Sequence, residues 1–172
     1  TYTGNHTSGA TVGHGLGVAP KVVIVKARGT INSQNRGWGV YHAELGNTKY
    51  VQLNTKAASA TNSAWWNNTT PNSTTFTLGN DYDVNADISG GNYVTYVFSE
   101  VAGYSKFGKY SGNGSSNGPF VNLGFKPAFI IIKRTNASEG WHLFDNKRDP
   151  DNPIEDRLEA DDNSASFTGY DW

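Results

Sequence analysis

The chain has 172 residues, with 14 Lys and Arg set against 15 Asp and Glu, a formal net charge of -1. So even a balance supplies no field to draw in nucleic acid or an anionic membrane surface. The absence of cysteine excludes disulfides, thiolate metal centres and a cysteine nucleophile. No apolar run approaches the roughly 20 residues that span a bilayer, so membrane insertion is not expected.

Apolar residues make up only 36% of the chain while Trp, Tyr and Phe supply 13%, so any core must rest on a few large rings. Gly, Asn, Ser and Thr punctuate the sequence, and short β-rich runs lie between them, a pattern of many strands joined by turns. In chain order these runs cover residues 21–26, 39–42, 50–53, 74–78, 93–98, 128–133 and 141–144. The runs at 21–26 and 128–133 are continuously apolar and read as central strands buried on both faces. No segment keeps a 3.6-residue period, and the one helical candidate is residues 153–160, where Pro153 suits a first turn.

The chain also repeats itself. Tyr2-Thr3-Gly4-Asn5 recurs as Tyr110-Ser111-Gly112-Asn113, and Leu16-Gly17-Val18-Ala19-Pro20 as Leu123-Gly124-Phe125-Lys126-Pro127. Val22–Lys26 answers to Phe129–Lys133, Gly37-Trp38 to Gly140-Trp141, and Leu53-Asn54 to Leu158-Glu159. Five matches in order define a tandem duplication. The expected fold is all-β: two consecutive β-sandwich, jelly-roll-like units, at 1–108 and 109–172. The second is expected to stop before its closing strand, leaving an edge for a continuation of the chain, another copy or a partner to fill.

Residues that carry chemistry are sparse. Asp81, Asp83, Asn85 and Asp87 place oxygens at alternate positions, but Ala86 and Asn92 stand where a calcium loop needs Gly and Glu, so a polar hairpin loop is expected. The mixed-charge stretch 145–162, with Lys147, Arg148 and Arg157, reads as a solvated loop or short helix. His6, His14, His42 and His142 lack metal-ligand spacing. Glu44, Glu100, Glu139, Glu155 and Glu159 offer no locally marked acid–base pair. No metal, cofactor or catalytic set is therefore expected. Trp65 and Trp66, followed by Asn67 and Asn68, form a candidate carbohydrate-binding site, the rings stacking on sugar C–H faces and the amides bonding hydroxyls. The alternative is packing, with one indole in the core and the other over an edge. Trp38 and Trp141 recur at one place in both repeats and read as core residues.

Several stretches together resemble a tandem β-domain of large tail-fibre and other virion structural proteins of tailed phages, marine ones especially. They are the Tyr-Thr-Gly-Asn opening, residues 15–26, Val40-Tyr41-His42 with Leu45-Gly46-Asn47-Thr48-Lys49-Tyr50, Gly103–Gly108 and Ile132-Lys133-Arg134-Thr135. The resemblance implies a virion structural module, in a tail fibre, appendage or capsid decoration, that works through rigid shape and surface contact without catalysis. It further implies a homo-oligomer associated with other virion proteins at the particle surface. A carbohydrate-binding adhesin contacting host-surface glycan is the other function the residues suggest.

Overall fold

The computed structural model describes residues 1–88, 91–151 and 154–167. It is all-β. The strands are β1 (Tyr2–Thr3), β2 (Ala10–Gly13), β3 (Val22–Ala27), β4 (Trp38–His42), β5 (Lys49–Gln52), β6 (Ala60–Thr61), β7 (Thr75–Leu78), β8 (Asn92–Phe98), β9 (Phe129–Lys133), β10 (Trp141–Asp145) and β11 (Leu158–Glu159), with a single-turn helix α1 (Ser63–Trp66) before β7. Among the described residues no helix is long and apolar enough to cross a membrane. Contacts divide the chain into Thr1–Leu53 with Ser59–Glu100, unit 1, and Asn54–Ala58 with Val101–Trp172, unit 2. The break falls at Glu100, where the repeat comparison put it at 108.

Unit 1 is built on an antiparallel sheet of order β1-β8-β3-β4-β5-β6 and a separate β2-β7 ribbon. The apolar run at 21–26 does become a central strand. β3 pairs β4 from Val22↔His42 to Lys26↔Trp38, and β8 from Val22↔Phe98 to Ala27↔Tyr93. Strand alternation sends Val23, Val25 and Ala27 inward. There they share one cluster with Phe76 and Leu78 of β7, both α1 indoles, Tyr41, Tyr93 and the loop residues Val84 and Ala86. The ribbon, α1 and that loop thus cover one face of the sheet. Two tyrosines tie the cover down. Tyr2 stacks on Tyr93 with centroids 5.0 Å apart and donates to the Val84 carbonyl at 2.5 Å. Tyr93 Oη donates to the Tyr82 carbonyl and accepts the Ala86 N–H; burial pushes this hydroxyl up to about 12.

Unit 2 contains a three-stranded sheet of order β11-β10-β9, and its hairpin repeats that of unit 1 residue for residue. Lys133 faces Trp141 as Lys26 faces Trp38, and Phe129 faces Asp145 as Val22 faces His42. Lys26 Nζ donates to the Arg36 carbonyl, and Lys133 Nζ to the Glu139 carbonyl. The third strands correct the sequence alignment. His142↔Glu159 and Leu143↔Leu158 match Gly39↔Gln52 and Val40↔Val51, so Leu158 is the counterpart of Val51 and not of Leu53. One further expectation is overturned. Among the described residues β9 is an edge strand, with Phe129 55% and Ile131 43% exposed. The helical candidate at 153–160 does not form in its described part: Leu158–Glu159 is a strand, and Arg157 bridges Phe167. One isolated turn cannot meet the nucleation cost of a helix, while pairing with β10 is at hand. Pro153, and the closing stretch 168–172, lie outside the described residues.

Gly39 is where the two hairpins differ most. A Cβ there would lie 2.5 Å from Trp65 Cζ3 and 3.2 Å from Val84 Cγ1, so a ring can lie over the strand only if this position has no side chain. Gly39→Ala should destabilise unit 1 by about 1–3 kcal/mol, the usual cost of overpacking. Urea unfolding followed by Trp fluorescence would read the loss, and an unchanged midpoint would refute the packing account.

Candidate functional site

The proposed sugar platform is inside the protein. Asn62 caps α1, its Oδ1 accepting the Ala64 N–H at 2.9 Å, and Asn67 ends the turn at φ 50° with its N–H on the Ser63 carbonyl. Asn68 follows at φ 48°, a left-handed conformation that Asn tolerates better than most residues. This one turn carries both indoles inward, so each is only 2% exposed. Trp65 lies flat on Tyr50 at 3.8 Å, and Trp66 meets Tyr41 edge to face at 6.0 Å. Stacking on a pyranose needs a bare ring face, and neither indole offers one. Trp65 and Trp66 are core residues, while Asn67 and Asn68 shape the chain reversal. The packing alternative required a strand to point the rings in opposite directions; a helical turn lets both go inward. Trp141 is buried as expected, whereas Trp38 is only half-buried and stacks on Tyr96.

The acidic run after β7 is not a solvated hairpin loop. Asn85 is 1% exposed; its Oδ1 accepts the Asn5 N–H, and its Nδ2 donates to the Thr7 and Gly79 carbonyls. Asp81 Oδ1 accepts the Asp83 N–H. Asp83 Oδ2 accepts from Gln52 Nε2 at 3.0 Å, and its other oxygen lies 3.9 Å from Arg36. Each oxygen that a cation would claim at Asn85 and Asp83 already serves the fold. Burial and the neighbouring Asp81 raise the Asp83 carboxyl above its ordinary value of 3.8.

Unit 2 holds the densest group of charged side chains. Glu159, on β11, has a side chain only 4% exposed, with Arg157 at 3.1 Å, Lys56 at 3.4 Å and His142 at 4.0 Å. Glu139 approaches the same His142 Nε2 at 3.7 Å. Lys56 also reaches Asp162 at 3.7 Å, while its carbonyl accepts from Lys133 Nζ and the Glu139 N–H. Asp161 Oδ1 accepts the Trp141 N–H at 2.7 Å. Beside the network is an open recess of about 360 Å³ lined by Asn54, Ala160, Asp161, Asp162 and Asn163. Among the sequence candidates Glu139 and Glu159 do come together here, about one histidine. Glu139, however, is held below the usual carboxylate range by the Gly140 N–H and by His142. A general acid requires the opposite shift. The arrangement suits internal neutralisation of a buried carboxylate better than proton transfer.

No curated protein and no solved structure matches the chain. A family model does, over residues 1–171, and its description is a domain of unknown function, DUF7483. The chain belongs to the DUF7483 family. Family membership alone assigns no chemistry, so the reading of this DUF7483 chain rests on its residues. Sequence reasoning missed the network because Lys56 is remote from 133–162 in the chain. The available signal was the repeat match that set Leu158-Glu159 against the end of the 50–53 run, since a carboxylate pointing inward from a strand needs a cation.

Two measurements follow from these charges. Removing Glu159 leaves Arg157 without its carboxylate, so Glu159→Ala should destabilise unit 2 by about 2–4 kcal/mol, somewhat below a fully buried pair because Lys56 is half exposed. Hydrogen exchange at the amides of β9 and β10 should accelerate while those of β3 keep their rates; equal exchange in both proteins would show that the network is stabilising nothing. For Asp83 the folded state holds the proton more tightly than the unfolded one. Its contribution to stability is therefore full at low pH and lost as pH rises from 3.8 through the raised folded value. Asp83→Asn keeps an acceptor for Gln52, so the wild-type-minus-variant stability should fall with rising pH across that window. A flat or rising difference would contradict the shift.

Proposed function

We propose that the chain is a non-catalytic structural module of a virion surface, a segment of a tail fibre, appendage or capsid decoration that acts through rigid shape and surface contact. The observation that carries this reading is the duplicated hairpin. The register from Lys26↔Trp38 to Val22↔His42 recurs from Lys133↔Trp141 to Phe129↔Asp145, while the inward residues differ. Repetition that keeps backbone geometry and lets side chains drift is how repeat proteins extend a scaffold. An enzyme would instead hold one set of reactive groups. The charged groups fit the same account: Asp83, Asp145 and Glu159 are engaged by Gln52, Arg148 and Arg157 within the fold. The virion setting itself comes from the sequence resemblance, and with it the expectation of a homo-oligomer alongside other virion proteins.

An antibody raised against this chain and tagged with gold should decorate tailed-phage particles at a fibre, an appendage or the capsid in negative-stain electron micrographs. Lysates that contain the antigen but whose particles carry no gold would end the virion reading.

A further inference from the structure

In unit 1 the β3–β4 hairpin is completed on its far side by β8, six residue pairs long and antiparallel. The β9–β10 hairpin has the same register, yet among the described residues no strand flanks β9 on that side. The consequences appear at matched positions. Val23 and Val25 are wholly buried, whereas their counterparts Ile130 and Ile132 are only half-buried. Val22 is 8% exposed and Phe129, its counterpart, 55%. Tyr2 stacks on Tyr93 of β8, and its counterpart Tyr110 is 52% exposed and outside any strand. The residues that await cover in unit 2 are those that β8 covers or contacts in unit 1.

We propose that the open edge of β9 is a docking site for one antiparallel strand of the β8 pattern, with an inward aromatic residue at the position of Tyr93. The strand is supplied by a partner polypeptide of that pattern. The β8 of a second copy is not the donor, because it is held on both edges, by β1 and by β3. Nor does a second copy's β9 fit: its pairing would bring no tyrosine for Tyr110 to stack on. The bonding groups are identifiable. The Asn146 N–H binds the Ala128 carbonyl, so by antiparallel alternation Ile130 and Ile132 bond toward β10 while Phe129, Ile131 and Lys133 turn theirs to the open edge. On the incoming side, Asn92 bonds Arg28 across the β3–β8 pair, so the N–H groups of Val94 and Tyr96 face the acceptor strand.

The test is a fluorescent peptide of residues 92–98 with solubilising lysines, titrated into the full chain by anisotropy, with a scrambled peptide as control. Saturable one-to-one binding is expected, weakened roughly tenfold or more by Ile131→Pro, which removes an edge N–H and leaves the β10 ladder whole. Tyr110→Ala should weaken it severalfold. Should the proline variant not fold, backbone N-methylation of the peptide replaces it: methyls at Val94 and Tyr96 should abolish binding, and methyls at Tyr93 and Thr95 should spare it. No saturable binding, binding indifferent to the position of the methyls, or a dimer in sedimentation that Ile131→Pro dissolves would each overturn the proposal. The last result would assign the edge to a second copy.

Discussion

The register of one antiparallel hairpin decides where every important side chain of unit 1 goes. Because strand side chains alternate, with β3 in place a slip of one residue in β4 would turn Gly39 and Tyr41 away from the inner face and bring Trp38 and Val40 onto it. Two local devices oppose that slip. Lys26 at the end of β3 binds the Arg36 carbonyl in the connection to β4. Gly39 supplies a gap on the sheet into which the Trp65 ring descends. Given that register, α1 need be only one turn long, since its task is to deliver two indoles. Tyr50 and Tyr41 then receive them in flat and edge-on contacts.

The two units handle the third strand of this motif with different electrostatics. The inward residue opposite Gly39 is Gln52, a neutral amide that hands a hydrogen bond to Asp83, and Arg36 approaches the same carboxylate. Opposite His142 the inward residue is Glu159, almost wholly covered, with Arg157 and Lys56 beside it. In each case the carboxylate is kept near a cation, because an unpaired buried charge costs several kcal/mol. The glycine that precedes the tryptophan makes room for the arrangement in both. A Cβ on Gly37 would strike Gln52, and one on Gly140 would strike Glu159.

What the sequence disclosed was the backbone and its repetition. The runs rich in Val, Ile and Tyr became strands, and the Lys–Trp pairing of the duplicated hairpin was implicit in the matched motifs. Side-chain placement was legible only where periodicity decided it. Trp65-Trp66 lies in a stretch too short to show a period, and a strand and a single turn give opposite answers for adjacent residues. The 81–87 loop misled for a related reason. Asp and Asn mark exposed turns on average, but Asn85 pairs with backbone from Asn5, Thr7 and Gly79. Those partners are distant in the chain, and only the assembled fold brings them together. The Leu53 and Leu158 match failed because a leucine identity outweighed the actual equivalence of Gln52 and Glu159, two polar residues of unlike charge.

That last mismatch indicates what holds a repeat together when its sequence drifts. Between the hairpins Val23 has become Ile130, Gly39 has become His142 and Tyr41 has become Phe144, yet each pair keeps its opposite number. The particular inward side chains are therefore not what the two registers have in common. What persists is the backbone ladder, the terminal lysine bound to its connecting loop, and the flanking glycine that admits a polar group from the third strand. The first two act within the hairpin itself, and the third reaches only to the next strand of the same sheet, Gln52 beside Gly37 and Glu159 beside Gly140. Burial of Val23 and Val25 to completion then depends on elements that arrive from elsewhere in the fold, β8 above all. The divergent inward residues are free to change because they answer to those elements and not to the hairpin itself.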